Sequence, residues 1–156
     1  MLKTLSKNQL KEANFYLPDR GFIQISGIDA EKFLQGQLTC DVHLAKAHQG
    51  MLCAHCNLKG RIIFNGYLFY NEGDYLLSMP KAQVQTAIIA LKKYAIFSKV
   101  AIEEVSESVL STLKPFKTEV NSENLKLNAL QAGIAEIYPE TREKFTPHEM
   151  NYHQLN

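Results

Sequence analysis

At 156 residues, with 46% hydrophobic and 21% charged residues, the chain is long enough for one domain with a real core and too short for two ordinary ones. A formal charge of +1 excludes a nucleic-acid binder that relies on a large positive field. No apolar run is long enough to span a bilayer and the first residues do not read as a signal peptide, so the expected location is the cytoplasm.

The first element expected is a short strand over Phe22 to Ser26, with Ile23 and Ile25 on one face and Gly27 breaking it. Asp29 is placed to cap a following helix by accepting from its free amides, with Ala30, Phe33, Leu34 and Gln37 on one helical face. A polar connection from Asp41 to Gln49 leads into a meander of three strands, Met51 to Asn57, Ile62 to Tyr70 and Asp74 to Met79. The turns at Lys59-Gly60 and Asn71-Glu72-Gly73 are short enough to force antiparallel neighbours, with glycine taking a positive φ.

Pro80 suits the first turn of a second helix, capped by Ser78 or Met79, in which Val84, Ala87, Ile88, Leu91 and Ala95 repeat at 3.6 residues. Phe97 to Val105 reads as a last strand. The fold class expected is α+β, a mainly antiparallel sheet built on a β-meander with two helices packed on it. Residues 1–105 form that lobe, residues 106–132 a polar linker, and residues 133–156 a tail rich in turn signals at Tyr138-Pro139 and Thr146-Pro147.

Cys40, Cys53 and Cys56 read as reduced thiols. Cys53 and Cys56, three apart on a strand, point to opposite faces and cannot chelate one ion without a bend, and further ligands from His48, His55 or Cys40 have no diagnostic spacing. No metal site is expected, and the pair reads as buried strand residues. His43, His48, His148 and His153 are scattered, with no nucleophile elbow beside them, and no glycine-rich phosphate loop is present.

Three runs carry a family resemblance in a fixed order. Phe33 to Asp41 (FLQGQLTCD), Ala54 to Arg61 (AHCNLKGR) and Lys93 to Val100 (KYAIFSKV) resemble the FLQGQxTxD, AHCDxKGK and KYAVFSKV elements of YgfZ-type folate-binding proteins, relatives of the aminomethyltransferase of the glycine cleavage system. The tail GIAEIYPETREKFTPHEMNYHQL resembles the stretch that precedes the family's KGCYxGQE run, whose cysteine is functionally important; that run is not in this sequence. The resemblance therefore implies an amino-terminal part or a shortened member, with the aminomethyltransferase folate-binding fold.

The resemblance also implies a ligand, tetrahydrofolate or a derivative, and no metal. The transferases place an acid on the strand after the Lys-Gly turn, where this chain has Phe64 and Asn65, so carboxylate chemistry is not expected there and no catalytic residue is assigned. Asn65 has the donor and acceptor to bind a pterin, or is satisfied by a neighbouring strand. Gln35, Gln37, Thr39 and Asp41 form a polar cluster suited to a pterin edge, or cap the helix and bind backbone. Tyr67 is expected at a polar rim of the pocket and Phe69 in the core, while Lys59 and Arg61 are candidates for an anionic glutamate tail.

The function implied is a folate-binding accessory protein without transferase chemistry. It would support iron-sulfur protein activity or assembly, with iron-sulfur proteins or their assembly factors as partners, and indirectly tRNA modification. No membrane and no direct nucleic-acid contact are expected. The alternative is a shortened, non-catalytic interaction domain that has lost folate binding.

Overall fold

The computed structural model describes residues 19–46, 50–106, 109 and 134–152. Its elements are β1 (Arg20–Ser26), α1 (Ala30–Gln35), a 3-10 turn (Val42–Lys46), β2 (Met51–Cys56), β3 (Ile62–Asn71) and β4 (Asp74–Pro80). A second 3-10 turn (Lys81–Gln83), α2 (Val84–Lys92) and β5 (Ala101–Glu104) follow. The strands form one antiparallel sheet in the order β2-β3-β4-β1-β5. The meander is thus built as its turns dictate, with Gly60 and Gly73 at φ of 74° and 106° where a side chain would be strained.

Alternation along each strand sends side chains to two different cores. Ile23, Ile25, Cys53, Phe64, Leu68, Leu77 and Met79 join Phe33 and Leu34 of α1 and Val84, Ala87 and Leu91 of α2 on one face. Phe22, Leu52, Ala54, Tyr67, Phe69 and Leu76 meet Ile134, Ile137, Met150 and Tyr152 on the other. Each large apolar side chain fully buried in this way contributes about 1.5–3 kcal/mol, so both faces stabilise the sheet. The α+β architecture with two helices on an antiparallel sheet is as expected; the cover that the tail gives to the second face is not.

Four local expectations are corrected. The last strand is Ala101–Glu104, not Phe97 to Val105, because Phe97 is 98% exposed and residues 94–98 turn on bonds such as Ser98 N–H to Ala95 O at 3.0 Å. Pro80 ends β4 opposite Arg20, with φ −54° and ψ 132°, and the helix proper starts only at Val84. Asp29 stands at the start of α1, but its carboxylate accepts from Lys99 N–H at 2.8 Å rather than from the helix. Helix α1 stops at Gln35, so Gln37 lies beyond it and shares no helical face.

The tail is attached by specific bonds. Glu143 N–H donates to Ile62 O and Ile62 N–H to Phe145 O, both at 2.8 Å. Arg20, 6% exposed, donates to Ser78 Oγ at 3.1 Å and pairs with Glu136. Gln83, fully buried, donates to Ile137 O at 3.2 Å. Residues 1–18, most of the expected 106–132 linker, His48 and His153 lie outside the described residues.

Candidate functional site

The candidate ligand residues fall into three places. Asn65, 1% exposed on β3, faces the tail and spends its whole amide there: Nδ2 donates to Ala135 O at 2.8 Å and to Tyr152 Oη, and Oδ1 accepts Ile137 N–H at 2.7 Å. The amide is satisfied by the tail, not by a neighbouring strand. Tyr67 is 1% exposed in the same core, which corrects its expected place on a polar rim. Strand alternation put both residues on the tail face; the partner that covers them had no periodicity to reveal it.

Gln35, Gln37, Thr39 and Asp41 lie where the chain leaves α1. Gln35 Oε1 accepts Val42 N–H at 2.7 Å, and Asp41 Oδ1 accepts His43 N–H at 3.1 Å, so both shape the local turn. Thr39 is clipped to the edge of β2, its N–H donating to Ala54 O at 2.9 Å while its Oγ1 accepts Ala54 N–H at 3.0 Å. Ala54 pairs in turn with Asn65. Thr39, Ala54 and Asn65 therefore form a row across the sheet, with Thr39 and Asn65 about 10 Å apart at two strand spacings.

Lys59 and Arg61 sit on the β2–β3 hairpin, which Asn57 organises by accepting from both of their backbone N–H groups, at 2.9 and 3.0 Å. Arg61 turns to the tail, donating to Lys144 O and lying 3.8 Å from Glu149. Only Lys59 of this pair is without an ion-pair or side-chain hydrogen-bond partner among the described residues. Asn57, whose Nδ2 also donates to Glu143 at 2.9 Å, was not singled out from sequence, although Asn two residues before a Lys-Gly turn is a recognisable Asx-turn signal.

Two clefts flank this arrangement. One, of about 300 Å³, is lined by Ala135, Glu136, Ile137, Phe145, Glu149 and Met150, immediately beside the atoms that hold Asn65. Its carboxylates suit N–H donors of a ring. The other, of about 310 Å³, lies between His55, Ile63, Ile89, Lys93, Tyr94 and Arg142. Cys53 and Cys56 face opposite cores, as alternation predicts. Among the described residues no three His, Cys, Asp or Glu side chains are placed to hold a metal ion.

Charge around α1 is handled by Glu31. Lys46 Nζ at 2.5 Å, Tyr75 Oη at 2.6 Å and His43 Nδ1 at 2.7 Å surround its carboxylate and hold its pKa down at about 2. His55 behaves differently. It is 3% exposed, stacks on Phe64 at 5.3 Å, and pairs through Nδ1 with Gln37 O at 2.9 Å. Burial pushes its imidazole below 6.5, outweighing the bond to Gln37.

A histidine whose folded pKa is depressed binds fewer protons folded than unfolded, so stability is full above 6.5 and falls as pH drops through that value toward the folded pKa. We expect urea unfolding to show a decline of up to about 1.4 kcal/mol per pH unit below pH 6.5 from this one group. His55→Asn, which keeps a donor for Gln37 O, should flatten that part of the profile; an unchanged slope would show that the acid loss arises elsewhere.

With the geometry in place, comparison with known proteins gives the chain its relatives. No family model matches it. It is 38% identical over 98 residues to the tRNA-modifying protein YgfZ of Vibrio atlanticus, covering 63% of this chain and 30% of that protein. It is 38% identical over 103 residues to that of Buchnera aphidicola, covering 66% and 32%, and 39% identical over 94 residues to that of Yersinia pestis, covering 60% and 28%. The fold is similar to that of the glycine cleavage system aminomethyltransferase T from Bartonella henselae, with TM-score 0.52 and 18% identity over 61% of this chain and 28% of that one. No described helix is long and apolar enough to cross a membrane. Over roughly three fifths of its length the chain is a homologue of YgfZ-type proteins on an aminomethyltransferase-like fold, and it spans about a third of the length of those relatives.

Proposed function

We propose that the chain is a folate-binding accessory protein of the YgfZ type, acting without transferase chemistry. In this reading it supports iron-sulfur protein activity or assembly in the cytoplasm, and through it the tRNA modification for which its relatives are named. The observation that carries the reading is the alignment of Thr39, Ala54 and Asn65 across β2 and β3, which joins two of the three ordered motifs into one row. Tetrahydrofolate or a derivative is the ligand, its pterin edge read by the Gln37 to Asp41 segment and by Asn65. The Glu136 and Glu149 cleft offers further acceptors beside it. Lys59 of the hairpin, without an ion-pair partner among the described residues, takes the anionic end.

Because Asn65 already spends its amide on Ala135, Ile137 and Tyr152, a ligand that reaches it must exchange with the tail. That observation also supports a second reading, in which the closed tail makes this a non-catalytic interaction domain that does not bind folate. Isothermal titration with tetrahydrofolate separates the two. Saturable heat that weakens in Thr39→Val supports folate binding, whereas no heat and no competition at millimolar ligand favours the interaction domain.

A further inference from the structure

Cys40 and Cys53 lie thirteen positions apart in sequence but meet in one buried cluster of the fold. Gln37 O meets His55 Nδ1 at 2.9 Å, and Thr39 pairs with Ala54 through bonds of 2.9 and 3.0 Å. Cys40 follows Thr39 and Cys53 precedes Ala54, so the two cysteines flank this contact, and both belong to one buried cluster. Both side chains point into the core beneath the helices, Cys40 at 5% exposure and Cys53 at none, while Cys56 points to the other face.

We propose that Cys40 and Cys53 are a redox-active pair that closes to a reversible disulfide bond in the native protein. The neighbouring Cys53 thiol favours the Cys40 thiolate and lowers its pKa, while Cys40 beside it, together with burial, pushes Cys53 up. Cys40, between the exposed residues Thr39 and Asp41, is therefore the attacking thiol and Cys53 the resolving one.

With a small-molecule disulfide such as oxidised glutathione as oxidant, the Cys40 thiolate attacks one reagent sulfur, the reagent bond breaks, and one thiolate leaves. Cys53 then gives its proton to solvent and its sulfur attacks that of Cys40, expelling the second thiolate. Two protein thiols are oxidised to one disulfide and the reagent is reduced to two thiols. The bond would fasten the Gln37 to Asp41 segment to β2, and the proposal does not depend on what that segment binds.

The test is to incubate the full chain under native conditions with excess oxidised glutathione, then denature it, alkylate the remaining thiols and map them by mass spectrometry. The expected result is the loss of two hydrogen atoms, a Cys40–Cys53 link and one alkylated thiol at Cys56, all reversed by dithiothreitol. Cys56→Ser should close in the same way, and Cys53→Ala should stop with one glutathionyl group on Cys40. Three alkylatable thiols after treatment, a link through Cys56, or glutathione retained on wild-type Cys40 would each overturn the proposal. The wild-type map decides this even if a variant fails to fold.

Discussion

Asn65→Leu should release the tail. The leucine keeps the volume but leaves the buried Ile137 N–H and the part-buried Ala135 O unpaired and removes the donor to Tyr152. Each buried polar group left without a partner costs about 1–3 kcal/mol, so the expected loss is about 3 kcal/mol or more. Urea unfolding measures it, and trypsin should cut faster at Arg142 and Lys144 in the loosened segment. Asn65→Asp should behave differently: a carboxylate still accepts from Ile137 and can take the Tyr152 proton, but it opposes the Ala135 carbonyl. Its folded pKa is then raised, so this variant should gain stability as pH falls, when the protonated acid can donate to Ala135 O. A pH-independent difference from wild type would argue against this geometry.

Gly66→Ala is the second change with a large expected effect. A Cβ there would sit 2.1 Å from Ser78 O and 3.3 Å from Met79 Cβ, inside the β3–β4 pairing. The obstacle is backbone, which cannot turn aside as a flexible side chain can. Ser78 also receives Arg20 Nε at 3.1 Å, and Arg20 holds Glu136, so displacement of β4 reaches the tail. The expected cost is about 3 kcal/mol, at the upper end for overpacking. Gly60→Ala is the contrast: nothing lies within 4 Å, and only the φ of +74° is strained, for about 1 kcal/mol. Equal midpoint shifts for the two variants would contradict the close approach at Gly66.

How much of this was legible in the sequence depended on the range of the interaction. Alternation over β3 and the glycine turns gave the meander, because each rests on neighbours a few residues apart. The placement of β1 between β4 and β5 left no local trace. Phe97 reads as strand from its apolar character, yet stands exposed on the turn after α2, where hydrophobicity says nothing about pairing. The tail has no period because its hold comes from scattered contacts, with the side chains of Arg20, Asn65 and Gln83, the backbone of Ile62 and single apolar residues in the second core, rather than from a repeating face.

The site followed the same division. Asn65 stood out because its motif position carried an acid in the transferases, but its partners are 70 and more residues away and were invisible. Gln35 and Asp41 fulfil the alternative that the sequence left open, binding nearby backbone. His55 was weighed only as a further metal ligand without diagnostic spacing; its burial against Phe64 and its bond to Gln37 O required knowing that the Phe33 to Asp41 run lies along β2.

The central claim is that folate binds where Thr39, Ala54 and Asn65 align beneath the tail. An amide NMR titration of isotope-labelled protein with tetrahydrofolate tests it most directly. The account predicts saturable shifts at the Thr39 and Ile137 backbone amides and at the Asn65 side-chain amide, with the last losing its contacts to Ala135 and Tyr152. Unmoved signals at all three, or shifts confined to the cleft beside α2, would contradict it.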